Sequence, residues 1–254
     1  MIQLTPDLIE DYKADRIKFV CVATVNRELS LAKSILNKTM EWGFVDRNPF
    51  QKVKFFKENN TRTRFLGMEE FVRLIAACSE RLKPIVIVAV GTGLRKSNIL
   101  KLQWDQIHYQ INQICVRRPK GRSDYYIPMD QIVADLLKVL HHCPSCSYVF
   151  CQGSHKPPSV SGWVRKDFTK ALLLAGIVDF MFHDLRHTFA SYLAMAGYDV
   201  KTIMELLGHS STRMAERYIH LSPQHKQNAV NRSIGPVLDK VLKSQTILNQ
   251  ESAS

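Results

Sequence analysis

Residues 183–218, HDLRHTFASYLAMAGYDVKTIMELLGHSSTRMAERY, decide how the rest of the chain is read. His183 and Arg186 stand three apart, a spacing that puts both on one face of a helix. Asp199 or Thr202 opens the next helix, and Gly208 ends it with His209 just beyond. Tyr218 follows His209 by nine residues and falls on a further short helix. Two basic residues far upstream, Arg95 in GTGLRKSN and Lys120 in RRPKGRS, complete a set able to surround one phosphodiester.

Working outward, LKPIVIVAVGTG is a nearly all-apolar helix suited to the centre of a domain. Thr92-Gly93 breaks it, so Arg95 projects from a turn anchored to buried helix. Residues 113–128 alternate around a turn signal at Lys120-Gly121, which predicts a hairpin with Lys120 near its tip. MEEFVRLIAAC reads as an amphipathic helix, and further helices are expected at 130–141 and 161–175 with a short strand at 148–150.

Residues 1 to about 60 read as a separate helical region. Thr5 and Pro6 suit an N-cap and first helical position for a helix through about Arg16. A second helix from Thr24 repeats Val25, Leu29, Ala32, Leu36 and Met40 on one line and ends at Gly43, leaving Asn26, Arg27, Lys33 and Lys38 on a basic outer face. Residues 48–63, without periodicity, read as an interdomain linker, whose Lys52, Lys54, Lys57 and Arg62, with Arg64 beyond, suit a strap along a phosphate backbone. The tail 236–254 carries Val237, Leu238, Val241, Leu242 and Leu248, consistent with a helix that would pack on its own domain or a neighbour. The expected division is 1–62, 63–235 and 236–254.

The bulk numbers fit a nucleic-acid partner. Thirty-five Lys+Arg against 23 Asp+Glu give a net charge of +12, which favours a polyanion, and 45% apolar residues fit a packed globular chain. No run approaches the roughly 18 apolar residues of a membrane span, and the N-terminus lacks the order of a signal peptide, so a cytoplasmic, nucleoid-associated protein is expected. Six cysteines then read as reduced thiols. Cys143, Cys146 and Cys151 with His141, His142 and His155 hold zinc-ligand types, but a lone CxxC is more simply a turn into the strand at 148–150.

Phosphodiester cleavage by direct attack builds negative charge on the non-bridging oxygens, which preorganised cations must meet. Arginine's planar fork suits this, hence Arg95 and Arg186. A tyrosine with pKa near 10 attacks well only if a base takes its proton, and His183 is the candidate. Lys120 would return a proton to the leaving sugar oxygen, and His209 would donate to a phosphate oxygen. No acidic trio of the kind that binds Mg²⁺ accompanies them, so no metal or other cofactor is expected. Each residue alone has an ordinary structural explanation; the set carries the reading.

These residues make a family likeness. The chain resembles the tyrosine recombinases, or phage-type integrases, in GTGLRKSNIL around Arg95, the hairpin Lys120, HDLRHTFASYLAMAG with His183 and Arg186, LLGHSS with His209, and Tyr218 in ERYIH. TVNRELSLAKSILNKTMEWGFVDRNPF is similar to the family's core-binding domain. The resemblance implies a mainly α fold with a small β-sheet: a helical core-binding domain plus a mixed, mostly helical catalytic domain, clamping duplex DNA. It implies attack by Tyr218, a 3′-phosphotyrosyl link, and rejoining by a second 5′-hydroxyl without ATP or metal. It also implies a homotetramer on two paired sites, with accessory DNA-bending proteins in some systems. Two departures stand out. Many members have an acidic residue three positions after the first arginine, where this chain has Asn98, and the helical region before the linker is shorter than usual. A type IB topoisomerase and a non-catalytic DNA-binding remnant of an integrase are the alternative readings.

Overall fold

The Thr5 hydroxyl accepts from the Leu8 N–H at 3.3 Å, and Pro6 stands where a helix needs no donor, so α1 (Pro6–Arg16) starts there. In α2 (Val22–Glu41) the apolar line turns inward, with Val25 and Leu29 buried against Ile9, Phe50 and Val53. Gly43, at φ +75°, lets the chain leave the helix through a left-handed turn. The structure, a computed structural model, describes residues 4–58, 64–117, 123–140, 146–151, 157, 162–208 and 218. It divides into two compact units, Met1–Arg62 and Thr63–Ser254.

The stretch read as a bare linker is, over its described part, packed into the first unit. Phe50 and Val53 enter its core, and Lys13 Nζ donates to the Lys54 carbonyl at 2.7 Å. Asn26 is the main clasp. Its amide donates to Phe56 O at 2.9 Å and Glu58 Oε1 at 2.7 Å, while its Oδ1 accepts from Phe56 N–H at 2.9 Å. Asn26 is therefore buried and occupied by the chain itself, unlike the exposed DNA contact expected of it. An irregular backbone can be buried when side chains satisfy its polar groups, a condition invisible to periodicity.

In the second unit Glu70 accepts from the Gly67 N–H at 3.1 Å and starts α3 (Met68–Ala77). α4 (Lys83–Thr92) is buried along most of its length, through Ile85, Val86, Val88 and Ala89. Gly93 ends it at φ +63°, and a Cβ there would stand 2.3 Å from Phe189 Cδ1, so only glycine fits. Arg95 is the N-cap of the short α5 (Lys96–Leu100). Strands β1 (Ile107–His108), β2 (Gln113–Val116) and β3 (Tyr125–Pro128) form an antiparallel sheet in that order, with Ile114 opposite both Ile107 and Ile127. α6 (Gln131–Val139) is capped by Asp130, which accepts from Ile132 N–H at 2.8 Å.

The strand expected at 148–150 is instead a single bridge between Tyr148 and Gln103, with Val149 N–H donating to Leu102 O at 2.8 Å. Val149 and Phe150 are apolar because they are buried, not because they pair in a ladder. α7 (Trp163–Leu174) packs on α3, α8 (Asp184–Met195) packs on α4, and α9 (Val200–Leu207) packs on α8. Asp199 caps α9 by accepting from Thr202 N–H at 3.0 Å. Thr188 ties α8 to the start of the unit, accepting from Leu66 N–H at 3.0 Å and donating to Asp184 O at 2.9 Å. Lys120, His209 and the tail helix lie outside the described residues, as do Arg62 and His141 to Cys143. Among the described residues no helix is long and apolar enough to cross a membrane.

Candidate active site

Arg186 sits on the first turn of α8, 3% exposed, and its fork is held by two helix ends. Nη1 donates to Gly93 O at 2.6 Å, just past α4, and Nη2 donates to Leu207 O at 2.5 Å, at the end of α9. Helix C-termini leave carbonyls without intrahelical donors and carry partial negative charge, so two such ends make a natural seat for a buried cation. Two of its five N–H donors are used in this way.

Burial first, and the charge of Arg95 second, pull the Arg186 guanidinium down to about 10; Tyr125 and Tyr218 act in the opposite sense. It stays protonated at neutral pH. The like charges of Arg95 and Arg186 thus repel, an arrangement that an anion between them would relieve. Asn98, whose N–H bonds back to Arg95 O at 2.8 Å, brings an amide to this turn where a carboxylate would partly neutralise it.

Tyr218 is 1% exposed, packed with Ala190, Ala194, Ile203 and Leu207. Its hydroxyl is hydrogen-bonded to Nδ1 of His187. His183, the histidine expected to share this proton, is exposed at the N-cap of α8, with its ring edge-on to His187 at a centroid distance of 5.1 Å. Sequence spacing alone assigns His187 no role. The available signal was its place four residues after His183, on the same helix face and next to Arg186. The glycine before His209 is packed too: a Cβ on Gly208 would lie 2.5 Å from the ring of Tyr125 on β3.

The structure therefore brings together Arg95, Arg186, Tyr218 and the His183–His187 pair. Of the residues expected to touch DNA, Arg27, Lys52 and Lys54 are exposed. Lys33 is half-buried, its ammonium 5.8 Å from the Phe55 ring centre. Among the described residues no three His, Cys, Asp or Glu side chains gather as metal ligands would.

Residues 64–225 match the profile of the phage integrase family. The integrase of Salmonella phage P22 is 37% identical over 220 residues, covering 82% of this chain and 56% of that protein. This chain thus spans little more than half of that relative's length. The catalytic domain of bacteriophage HP1 integrase superposes with a TM-score of 0.51 at 27% identity, over 66% of this chain and 94% of that one. A lambda integrase tetramer bound to a Holliday junction shares the fold, with a TM-score of 0.67 at 21% identity over 84% of this chain and 66% of that one. With its mostly helical architecture, small three-stranded sheet and matching profile, the chain belongs to the phage integrase family, the tyrosine recombinases.

Proposed function

We propose that this chain is a site-specific recombinase that cuts and rejoins double-stranded DNA through a covalent link to Tyr218. The observation that carries the reading is a buried, doubly anchored Arg186 whose charge feels both Arg95 and Tyr218, with the Tyr218 hydroxyl already hydrogen-bonded to a histidine. Arg95 and Arg186 hold the non-bridging oxygens of the scissile phosphate, and His209 adds a donor. Tyr218 attacks phosphorus and its proton leaves to the histidine pair on α8. The 5′-oxygen departs with a proton from Lys120. A 5′-hydroxyl from the second site then attacks the 3′-phosphotyrosyl link, so the bond energy is kept and no ATP or metal enters the reaction.

Exchange between two paired sites requires four protomers, one for each strand cut, and the fold shared with a tetrameric junction complex supports that assembly. Lys52, Lys54, Arg27 and Arg62 track the phosphate backbone, consistent with the net charge of +12. The test uses nicked duplexes made from the DNA flanking the gene. Wild type forms a covalent protein–DNA adduct and recombines two such sites, while Tyr218→Phe binds and does neither. An adduct from Tyr218→Phe refutes the nucleophile, and efficient relaxation of arbitrary supercoiled plasmid without recombination would make the protein a swivelling topoisomerase instead.

A further inference from the structure

The histidine on the nucleophile is not the one that the motif spacing picked out. The Tyr218 ring is enclosed by apolar side chains, so its hydroxyl end meets the polar part of the site at His187 Nδ1. In the neutral tautomer that carries its proton on Nε2, Nδ1 accepts and the phenol donates. In that tautomer the O–H proton points at the lone pair of a base, and transfer needs neither group to move. His183 sits one turn earlier and exposed, with its ring edge against His187 rather than on the tyrosine.

His187 is half-buried on α8, which packs against α4 and α9. On its own helix it faces His183, while Arg186 beside it is turned to the Gly93 and Leu207 carbonyls. α4, packed against α8, carries one titratable side chain, Lys83, at its opposite end from Gly93. α9 carries Lys201 and Glu205, both exposed. A phenol of ordinary pKa near 10 is ionised to only about one part in a thousand at pH 7, so a base in contact with it changes the rate of attack directly.

We propose that His187, rather than His183, is the catalytic base for Tyr218, an assignment that rests on the recombinase reading above. In cleavage the Tyr218 O–H bond breaks and its proton passes to His187 Nδ1. The freed electron pair forms the bond from the tyrosine oxygen to phosphorus. The bond from phosphorus to the 5′-oxygen breaks, its electrons staying on that oxygen, which takes a proton from Lys120. In rejoining, the incoming 5′-hydroxyl gives its proton to Lys120 and the departing tyrosine recovers its own from His187, so the cycle closes without net proton change.

The experiment measures single-turnover adduct formation at saturating DNA on the nicked duplexes described above. A second set carries sulfur in place of the bridging 5′-oxygen, because a thiolate leaves without protonation. His187→Asn puts an amide oxygen where Nδ1 stands, which keeps an acceptor for the tyrosine but offers no base; His187→Ala removes both. Both variants are expected to slow adduct formation by about 10²-fold or more, equally on oxygen and sulfur substrates, whereas Lys120→Ala recovers on sulfur. A His187→Asn rate within about threefold of wild type means that the contact only holds the ring, and overturns the assignment. Recovery of His187→Asn on sulfur, or a loss confined to His183→Asn, overturns it as well. A wild type that forms no adduct on either substrate would sink the recombinase reading itself, whereas an active wild type beside an active His187→Asn sinks only this assignment.

Discussion

Replacing Arg186 by methionine separates the arginine's work in folding from its work on phosphate. The substitution keeps an unbranched stem of similar length and removes the charge. Two carbonyls, Gly93 O and Leu207 O, lose their donors, at ~1–3 kcal/mol each, or about 4 kcal/mol for the pair at mid-range. Against this, burial and the charge of Arg95 pull the guanidinium well below its ordinary value, to about 10, which corresponds to about 3 kcal/mol of disfavoured charge that the variant no longer buries. The two nearly cancel, leaving a net destabilisation of about 1 kcal/mol. Urea unfolding followed by fluorescence reads this in the second unit, because Trp104 and Trp163 are half-buried there while Trp42 of the first unit is 61% exposed. Adduct formation on nicked DNA should fall by about 10²-fold or more in the same protein. A stability loss above about 4 kcal/mol would show that the buried arginine is chiefly a structural clasp, and adduct formation within tenfold of wild type would remove it from the phosphate site.

Gly93→Ala should destabilise the second unit by about 2–4 kcal/mol, from the left-handed backbone and the displacement of Phe189, and should slow cleavage by moving the carbonyl that holds Arg186. Asn26→Ala should cost the first unit about 2 kcal/mol, with its clasp on Phe56 and Glu58 gone, yet leave the salt dependence of DNA binding unchanged. Lys52→Ala or Lys54→Ala should do the reverse, reducing the slope of log K against log salt by about 1 with stability intact. Hydrogen bonds from Arg16 and Tyr12 hold the Glu28 carboxyl at about 2, below its usual 4.5. Since the folded-state value is the lower one, this contribution is complete above about 4.5 and is lost as pH falls through about 2. Acid titration of the first unit's unfolding should show that component in wild type and much less of it in Arg16→Ala.

The regular elements were legible because each writes its period into the chain. Thr5-Pro6, the Val25-Leu29-Ala32 line, the apolar run before Gly93, and Asp199 with Gly208 all stand where helices begin, pack or end. The five-residue α5 and two-residue β1 are too short to show any period. Asn26 reads as surface because it lies off the apolar line of its helix, whereas its partners Phe56 and Glu58 lie 30 and 32 residues on, beyond the reach of any helical period. His187 was hidden in a similar way. The three-residue spacing drew attention to His183 and Arg186, while the bond that distinguishes His187 reaches 31 residues along the chain to Tyr218. Two arginines and a tyrosine could be chosen by chemistry alone, but which histidine touches the tyrosine is a matter of packing.

The central assignment is Tyr218 as the residue that takes the DNA. The adduct trapped on nicked duplex, trimmed by nuclease and digested with protease, can be mapped by mass spectrometry to a single peptide and linkage. The expected result is a nucleotide joined through its 3′-phosphate to the oxygen of Tyr218. Attachment at Tyr192, Tyr198 or any other residue, or a link through a 5′-phosphate, would contradict it.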